Sequence, residues 1–258
     1  MDFDFTDDQE MLRDTVHRWV ERGYDFERRR SIVKAGGFAR EAWQEIADLG
    51  ICGLQVPEAQ GGLGLGPVDA MVVVEELGRG LALEPYAAVA LIATSLLKAG
   101  HAAAAAPRLQ HIAEGKEIVV LAHEERQSRY RLAHVETTAH GSGHAWRLSG
   151  RKIAVPAGGA ANAFIVTARV SGGVDDAAGI GLFLVSPGQP GVEVRAYPTQ
   201  DGASGADLVM KEAGAIELIA PGAAFGTDGE GAFRLCFHRR LDEVEEAADR
   251  LASWIAAR

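Results

Sequence analysis

The sequence predicts an α+β fold in which an all-helical N-terminal domain precedes a β-barrel domain and a short strand–helix tail. Apolar residues recur at helical spacing in the first part of the chain. Past Lys116 the pattern changes to short apolar runs separated by glycine- or proline-bearing turns, which is typical of an all-β barrel or sandwich. At 258 residues the chain is near the length at which one hydrophobic core splits into two. We therefore expect a helical domain at 1–117, a β domain at 118–220 and the tail at 221–258.

Local signals mark the helices of the first domain. Thr6 and Gln9 form a capping-box pattern, in which two side chains satisfy free backbone N–H groups at a helix start. Gly50 suits the left-handed residue after a helix end, and Pro67 suits a first helical turn. The expected helices are one that starts at Thr6 and others over about 40–49, 67–78, 86–98 and 104–114.

The β domain is predicted from seven short runs of β-type residues. Their turn signals recur at roughly the spacing expected of consecutive antiparallel strands. The runs are 118–122, 135–139, 145–148, 163–170, 180–185, 192–197 and 206–210.

Composition excludes several classes of protein. A formal charge of -10 disfavours nucleic-acid binding, and we interpret the one basic run, Arg28–Arg30, as a solvated helix end. Cys52 and Cys236 are far apart and fit neither a disulfide framework nor a zinc site. The N-terminus is acidic where a secretion signal is basic, and no apolar stretch reaches membrane-spanning length. We expect a cytoplasmic protein with no nucleic-acid or membrane partner.

Two further patterns suggest ligand sites and are weighed against simpler interpretations. The glycine-rich loop 56–67 does not fit GxGxxG, and no Gly-Lys-Ser/Thr run follows, so a phosphate loop is disfavoured. His123, His134, His140 and His144 match no metal-ligand spacing, and the sequence places no acidic or cysteine partner beside them. We interpret these histidines as solvent-facing strand residues and predict no metal site.

Several residue strings, taken in order, resemble the acyl-CoA dehydrogenase family over about residues 3–220. The strings are Phe5–Gln9, Leu49–Leu54, Gly61–Gly64, Glu75–Gly78, Thr137–Ala139 and Trp146–Lys152. Members of that family have a helical domain, a middle β-barrel and a C-terminal four-helix bundle. The resemblance implies an oligomeric FAD-dependent oxidoreductase of fatty acid metabolism, which oxidises an acyl-CoA thioester between its α and β carbons.

The resemblance also implies which residues contact the flavin. The seven expected cofactor-binding residues are Leu121, Ala122, His123, Ser128, Ala154, Val155 and Pro156. His123 stands where the family's first flavin segment has threonine. Pro156 stands in the segment where the family has Trp-Ile-Thr or Trp-Ile-Ser, and it offers neither a hydroxyl nor a backbone N–H. We therefore expect weakened FAD binding.

The C-terminal region departs from the family. About forty residues follow Leu218, too few for a four-helix bundle, and the resemblance places the catalytic glutamate in that bundle. We therefore expect no catalytic residue in this chain and little activity from the chain alone. The alternative hypothesis is a non-catalytic binding or assembly subunit that partners an acyl-CoA dehydrogenase.

The tail at 221–258 resembles the C-terminal strand and helix of fold-type I pyridoxal-phosphate aminotransferases. In that family the arginine matching Arg234 binds a substrate carboxylate, which suits its bidentate guanidinium. The Schiff-base lysine region and the large cofactor domain are absent, so transamination is disfavoured. An apolar stripe from Leu241 to Ile255 predicts a helix that packs either on the chain's own domains or on another subunit.

Overall fold

The computed structural model describes residues 5–100, 104–129, 131–141 and 145–219. The predicted tail with Arg234, the stripe from Leu241 to Ile255, Cys236 and His144 lie outside the described residues. Among the described residues, no helix is both long enough and apolar enough to cross a membrane.

A helical half comes first, as predicted. Its helices are α1 (Asp7–Gly23), α2 (Phe26–Lys34), α3 (Arg40–Asp48), α4 (Pro67–Arg79), a π-helical segment (Ala87–Ala93) that continues into α5 (Thr94–Ala99), and α6 (Ala105–Ala113). Short 3-10 turns lie at Ile51–Gly53, Glu58–Gln60 and, in the second half, Gly158–Ala160. The expected helices are all present, and α2 is an additional helix that the sequence analysis did not predict.

The predicted helix boundaries follow from local chemistry. The Thr6 hydroxyl accepts a hydrogen bond from the Gln9 backbone N–H at 3.3 Å, and the Gln9 side chain accepts one from the Thr6 N–H at 3.1 Å. Gly50 adopts φ 78°, a left-handed conformation that glycine reaches without steric cost. Asp25 caps the start of α2, and its carboxylate accepts a hydrogen bond from the Arg28 N–H at 2.7 Å. This cap is the local signal that predicts α2.

The run Arg28–Arg30 lies near the start of α2 and is at least partly exposed, and its first two members also contact other parts of the chain. Arg28 forms a bidentate ion pair with Glu45 of α3, with N···O distances of 2.9 and 2.8 Å. Arg29 donates to the Leu81 carbonyl at 2.9 Å and to the Asp201 carbonyl at 2.7 Å. Because Asp201 belongs to the second half of the chain, Arg29 links the two halves.

The second half is a β-barrel, which confirms the predicted fold class for this region. Its strands are β1 (Val119–Ala122), β2 (Thr138–His140), β3 (Trp146–Pro156), β4 (Ala163–Arg169), β5 (Ile180–Val185), β6 (Val192–Pro198) and β7 (Ser204–Ile219). The pairings β4–β2, β2–β3, β3–β7, β7–β5 and β5–β4 close a ring. Strand β1 adds in parallel to β4, and β6 adds antiparallel to β7.

Strands β3 and β7 are longer than the sequence predicted, because each contains a β-bulge rather than a turn. Between Lys152 and Val155 two residues of β3 oppose one residue of β7. Ala154 sits in this bulge with φ 52°, a left-handed conformation that is costly for a residue with a side chain. A bulge of this kind bends a strand and changes the direction of its side chains.

One continuous cluster of buried apolar side chains runs through both halves, from Val16 and Trp43 in the helices to Phe164 and Phe183 in the barrel. The π-helical segment packs on β1, which is the first strand after the helices. This packing places the end of β1 and the bulge of β3 beside a helix of the first half.

Candidate functional site

A cavity of about 250 Å³ opens where the π-helical segment meets the barrel. Ala88 and Ile92 line it from the helical side. Glu124, in the segment after β1, and Leu132 line it from the barrel side, and the bulge of β3 contributes Ile153. Irregular backbone borders the cavity on two sides, and both π-helical turns and β-bulges are frequent beside functional sites.

Four residues of the expected cofactor-binding set line this same cavity: Leu121, His123, Ala154 and Pro156. They come from two segments that lie more than thirty residues apart in the sequence, and the barrel brings the two segments together. Ala122 and Val155 do not line the cavity. Both are buried, because side chains alternate between the two faces of a strand.

Ser128 is also buried and does not line the cavity. Its hydroxyl accepts a hydrogen bond from the Glu125 N–H at 3.2 Å. The hydroxyl hydrogen has two acceptors in reach, the Glu125 carbonyl at 2.8 Å and a Glu124 carboxylate oxygen at 3.0 Å. In this arrangement Ser128 closes the turn that follows β1.

A buried ion pair lies directly behind the cavity wall. The Lys152 ammonium is 2.7 Å from a Glu125 carboxylate oxygen, and their side chains are 0% and 2% exposed. Glu125 also accepts hydrogen bonds from the Thr137 hydroxyl at 2.6 Å, the Thr137 N–H at 2.9 Å and the Glu136 N–H at 2.6 Å. This set of partners offsets the cost of removing the carboxylate from water.

The pKa values of the pair reflect burial and mutual attraction. Burial lowers the pKa of Lys152 to about 8, although Glu125 opposes the change. For Glu125, burial acts to raise the pKa, but the charge and hydrogen bond of Lys152 and the bonds from Thr137 and Glu136 outweigh it and hold the pKa below its usual range. Both groups are therefore ionised at neutral pH.

His123 joins this ion pair to the cavity. Its Nδ1 lies 3.1 Å from the Thr167 hydroxyl, and its backbone carbonyl accepts a hydrogen bond from the Lys152 ammonium at 3.1 Å. Burial, reinforced by the charge of Lys152, lowers the pKa of His123 below its ordinary value of 6.5. At neutral pH the cavity is therefore bordered by an uncharged imidazole.

The interpretation of the histidines as solvent-facing is wrong for two of them. His123 and His134 are buried, whereas His140 is exposed. The expectation that no acidic group accompanies the histidines is also wrong for His134. Ligand atoms of Glu125, His134 and Glu136 lie within 4.8 Å of one another.

This group is already held by protein contacts. Both oxygens of Glu125 accept hydrogen bonds, and His134 Nδ1 lies 2.8 Å from Asp175 and 3.1 Å from the Arg131 guanidinium. A metal ion would have to displace the hydrogen bonds of Glu125 and would lie near the cations Arg131 and Lys152. We propose no metal site here.

Three residues behind the cavity wall were not predicted from the sequence as parts of the site: Glu125, Lys152 and Thr167. One signal was present for Lys152. It shares the alternation of Trp146 and Leu148 along β3, which places it on the same inward face. Glu125 follows β1 in irregular structure, where no periodic pattern marks burial.

Comparison with known proteins identifies the two halves. Residues 6–116 match the acyl-CoA dehydrogenase N-terminal domain, and residues 121–213 match the acyl-CoA dehydrogenase middle domain. The chain therefore belongs to the acyl-CoA dehydrogenase family and carries the N-terminal and middle domains of that family.

Individual relatives agree with this assignment. The chain is 32% identical to acyl-CoA dehydrogenase FadE27 of Mycobacterium tuberculosis over 206 residues, which is 77% of this chain and 51% of that protein. It is 28% identical to mitochondrial isovaleryl-CoA dehydrogenase of Pongo abelii over 192 residues, 72% of this chain and 45% of that protein. The chain thus spans about half the length of these relatives.

Among solved structures, the ChsE4-ChsE5 complex from Mycobacterium tuberculosis superposes with a TM-score of 0.75 at 28% identity. The superposition covers 89% of this chain and 60% of the matched chain.

Proposed function

We propose that this chain is a subunit of a flavin-dependent acyl-CoA dehydrogenase and that its described part forms one wall of the flavin site. One observation supports this most directly. Leu121, His123, Ala154 and Pro156, which stand at positions where the family contacts flavin, line a single cavity. Family membership supports the cofactor class, and the cavity supports this position for the cofactor.

The apolar residues of the cavity suit contact with the two flat faces of a flavin ring. Leu121, Ile153 and Pro156 on one side and Ala88 and Ile92 on the other offer hydrocarbon surface, which suits a flat aromatic ring. The polar edges of the ring have fewer partners here than the family pattern provides. Pro156 has no N–H, and the Ala154 N–H donates to the Tyr197 hydroxyl at 3.1 Å. His123 and Glu124 are the polar side chains that line the cavity.

Bound FAD would supply a hydride acceptor for the oxidation of an acyl-CoA thioester between its α and β carbons. The residues of this chain would hold the ring against the barrel and exclude water from one side of it. That task needs a rigid wall, and the closed barrel with its buried ion pair provides one. We assign no catalytic base within the described residues. The proposed activity therefore needs a base from outside them.

A second function, a non-catalytic partner subunit, is favoured by the loss of hydrogen-bond donors at Pro156. A structure similar to this chain is itself a complex of two named proteins, ChsE4 and ChsE5. In this alternative the chain assembles into a homo- or hetero-oligomer with acyl-CoA dehydrogenase subunits, and the acyl-CoA substrate and flavin bind chiefly to the partner.

FAD uptake separates the two functions. We expect the purified chain, incubated with FAD and desalted, to retain a flavin absorption spectrum. Ala88→Trp should abolish retention, because its indole fills the cavity, whereas Ala87→Trp on the exposed neighbouring position should retain flavin. A parent chain that stays colourless, or equal retention by both variants, would contradict the flavin site. Analytical ultracentrifugation with a full-length dehydrogenase would then show whether the partner function holds.

A further inference from the structure

The side chain of Lys152 uses all of its hydrogen-bond donors. An ammonium group has three N–H bonds, and three acceptors surround it: the His123 carbonyl at 3.1 Å, Glu125 at 2.7 Å and the Thr167 hydroxyl oxygen at 2.9 Å. Lys152 is fully buried, so leaving any of the three unpaired would carry a desolvation cost. Thr167 therefore accepts a hydrogen bond from Lys152.

This bond determines which acceptor receives the hydrogen of the Thr167 hydroxyl. A hydroxyl carries one hydrogen, and the oxygen of Thr167 is already an acceptor. The nearby acceptor among its described contacts is His123 Nδ1 at 3.1 Å. Thr167 is fully buried and cannot donate to water instead. The order of donation is therefore from Lys152 to Thr167 and from Thr167 to His123 Nδ1.

We propose that Lys152 and Thr167 are positioning residues that hold His123 as a neutral imidazole with its hydrogen on Nε2. An imidazole whose Nδ1 accepts a hydrogen bond carries its single hydrogen on the other nitrogen. The inference concerns residues of this chain alone, and it rests on the proposed function only for the identity of the ligand in the cavity.

Burial and the charge of Lys152 together outweigh the two carboxylates near the ring and lower the pKa of His123. Lys152 faces His123 from β3 and opposes a second positive charge. Glu124 and Glu125, from the segment after β1, attract a proton to the ring, but Glu125 is paired with Lys152, and Glu124 lies within hydrogen-bond distance of Ser128. Burial adds to the effect of Lys152. The imidazole therefore stays neutral in a cavity that has two carboxylates nearby.

This arrangement gives the cavity a specific chemical character. In the family position that His123 occupies, a threonine hydroxyl can act either as a donor or as an acceptor. A neutral imidazole whose Nδ1 accepts a hydrogen bond from Thr167 carries its N–H on Nε2. The fixed tautomer makes this nitrogen a donor only, whereas a threonine hydroxyl could also accept.

Nitrogen NMR of histidine reports the tautomer directly, because protonated and unprotonated ring nitrogens have different chemical shifts. We would label the eight histidines with ¹⁵N, record spectra at pH 7 without added flavin, and assign His123 from the signal lost in His123→Gln. The expected result is an unprotonated Nδ1 and a protonated Nε2. An imidazolium signal, or a hydrogen on Nδ1, would overturn the proposal whether or not the chain binds FAD.

Thr167→Val and Thr167→Ser form a matched pair. Valine keeps the shape of threonine without the hydroxyl, and serine keeps the hydroxyl without the methyl group. We expect Thr167→Ser to preserve the parent tautomer and Thr167→Val to shift the ratio of Nε2–H to Nδ1–H by about tenfold, the effect of losing one buried hydrogen bond. An unchanged ratio in a folded Thr167→Val would show that Thr167 does not position the ring.

Discussion

Two ion pairs, Arg28–Glu45 in the helical half and Lys152–Glu125 in the barrel half, lie in different surroundings. In the helical half, the side chains of Arg28 and Glu45 are 28% and 43% exposed, and water shares in their solvation. In the barrel, Lys152 and Glu125 are almost completely buried, and protein groups provide every hydrogen bond described for them. An exposed pair contributes little to stability, whereas removing one partner of a buried pair leaves an uncompensated buried charge and is strongly destabilising. The rigid, fully partnered pair lies behind the candidate cavity.

The largest expected effect comes from breaking the buried pair. Lys152→Met should lower the free energy of unfolding by about 3–5 kcal/mol, because it leaves the Glu125 carboxylate buried without a cation. Urea denaturation at pH 7 measures the change. Lys152→Met combined with Glu125→Gln should recover part of the loss, since the remaining group is then uncharged.

Lys116→Met is the matched control for this variant. Lys116 also pairs with a glutamate, Glu114, but their side chains are 66% and 37% exposed. We expect a change below about 1 kcal/mol for the control. If Lys152→Met were as stable as Lys116→Met, the buried pair would not differ from an exposed one and the comparison between the two halves would fail.

The features that the sequence predicted are those that depend on neighbours along the chain. The capping box at Thr6, the left-handed Gly50 and the seven β runs each follow from a local pattern. The bulge at Ala154 could not be predicted, because it depends on which residues of β3 and β7 oppose each other.

The same distinction applies to the candidate site. Resemblance placed His123 and Pro156 at the cofactor, and both line the cavity. The hydrogen-bond partners of His123, Lys152 and Thr167, come from β3 and β4, twenty-nine and forty-four residues away, and no local pattern joins them. Only the closure of the barrel brings Lys152 and Thr167 to the ring.

Unlike the paired carboxylates discussed above, Glu84 in the helical half has no ion-pair partner in the part of the chain that the structure describes. Substituting it should change the free energy of unfolding less than breaking the buried pair does. It is buried, and neither of its carboxylate oxygens has a described partner within ordinary hydrogen-bond geometry, although the Tyr24 hydroxyl lies nearby. Burial raises the pKa of Glu84, although Tyr24 and Arg28 nearby oppose the rise. The native state therefore retains a proton that the unfolded chain has already lost, and its stability falls as the pH rises toward the native pKa.

Glu84→Gln should remove this pH dependence. We expect the variant to match the parent at pH 4 and to be more stable by about 1–3 kcal/mol at pH 8, where burying the carboxylate is most costly. Thermal or urea unfolding across this pH range measures the difference. The control, Glu41→Gln on the exposed surface of α3, should stay within about 0.5 kcal/mol of the parent. A constant difference across the pH range would mean that Glu84 does not titrate differently in the two states.

The smallest effect is expected at the half-exposed pair of the helical half. A double-mutant cycle of Arg28→Met and Glu45→Gln should give a coupling free energy of about 0.5–1 kcal/mol, because solvent screens the pair although its geometry is bidentate. Arg30 and Glu27 form a more exposed pair, in which a guanidinium nitrogen lies 3.5 Å from a carboxylate oxygen. This pair should give a coupling free energy near zero.

The pH dependence of this coupling provides the sharper test. The hydrogen bond from Arg28 holds the pKa of Glu45 below its usual range, although desolvation acts in the opposite direction. The coupling should therefore persist at neutral pH and disappear as the pH falls through the lowered pKa, where Glu45 becomes protonated. A coupling at Arg28–Glu45 as large as the loss in Lys152→Met would show that solvent exposure does not govern the strength of these pairs. The two halves would then differ in the position of their ion pairs but not in what those pairs contribute.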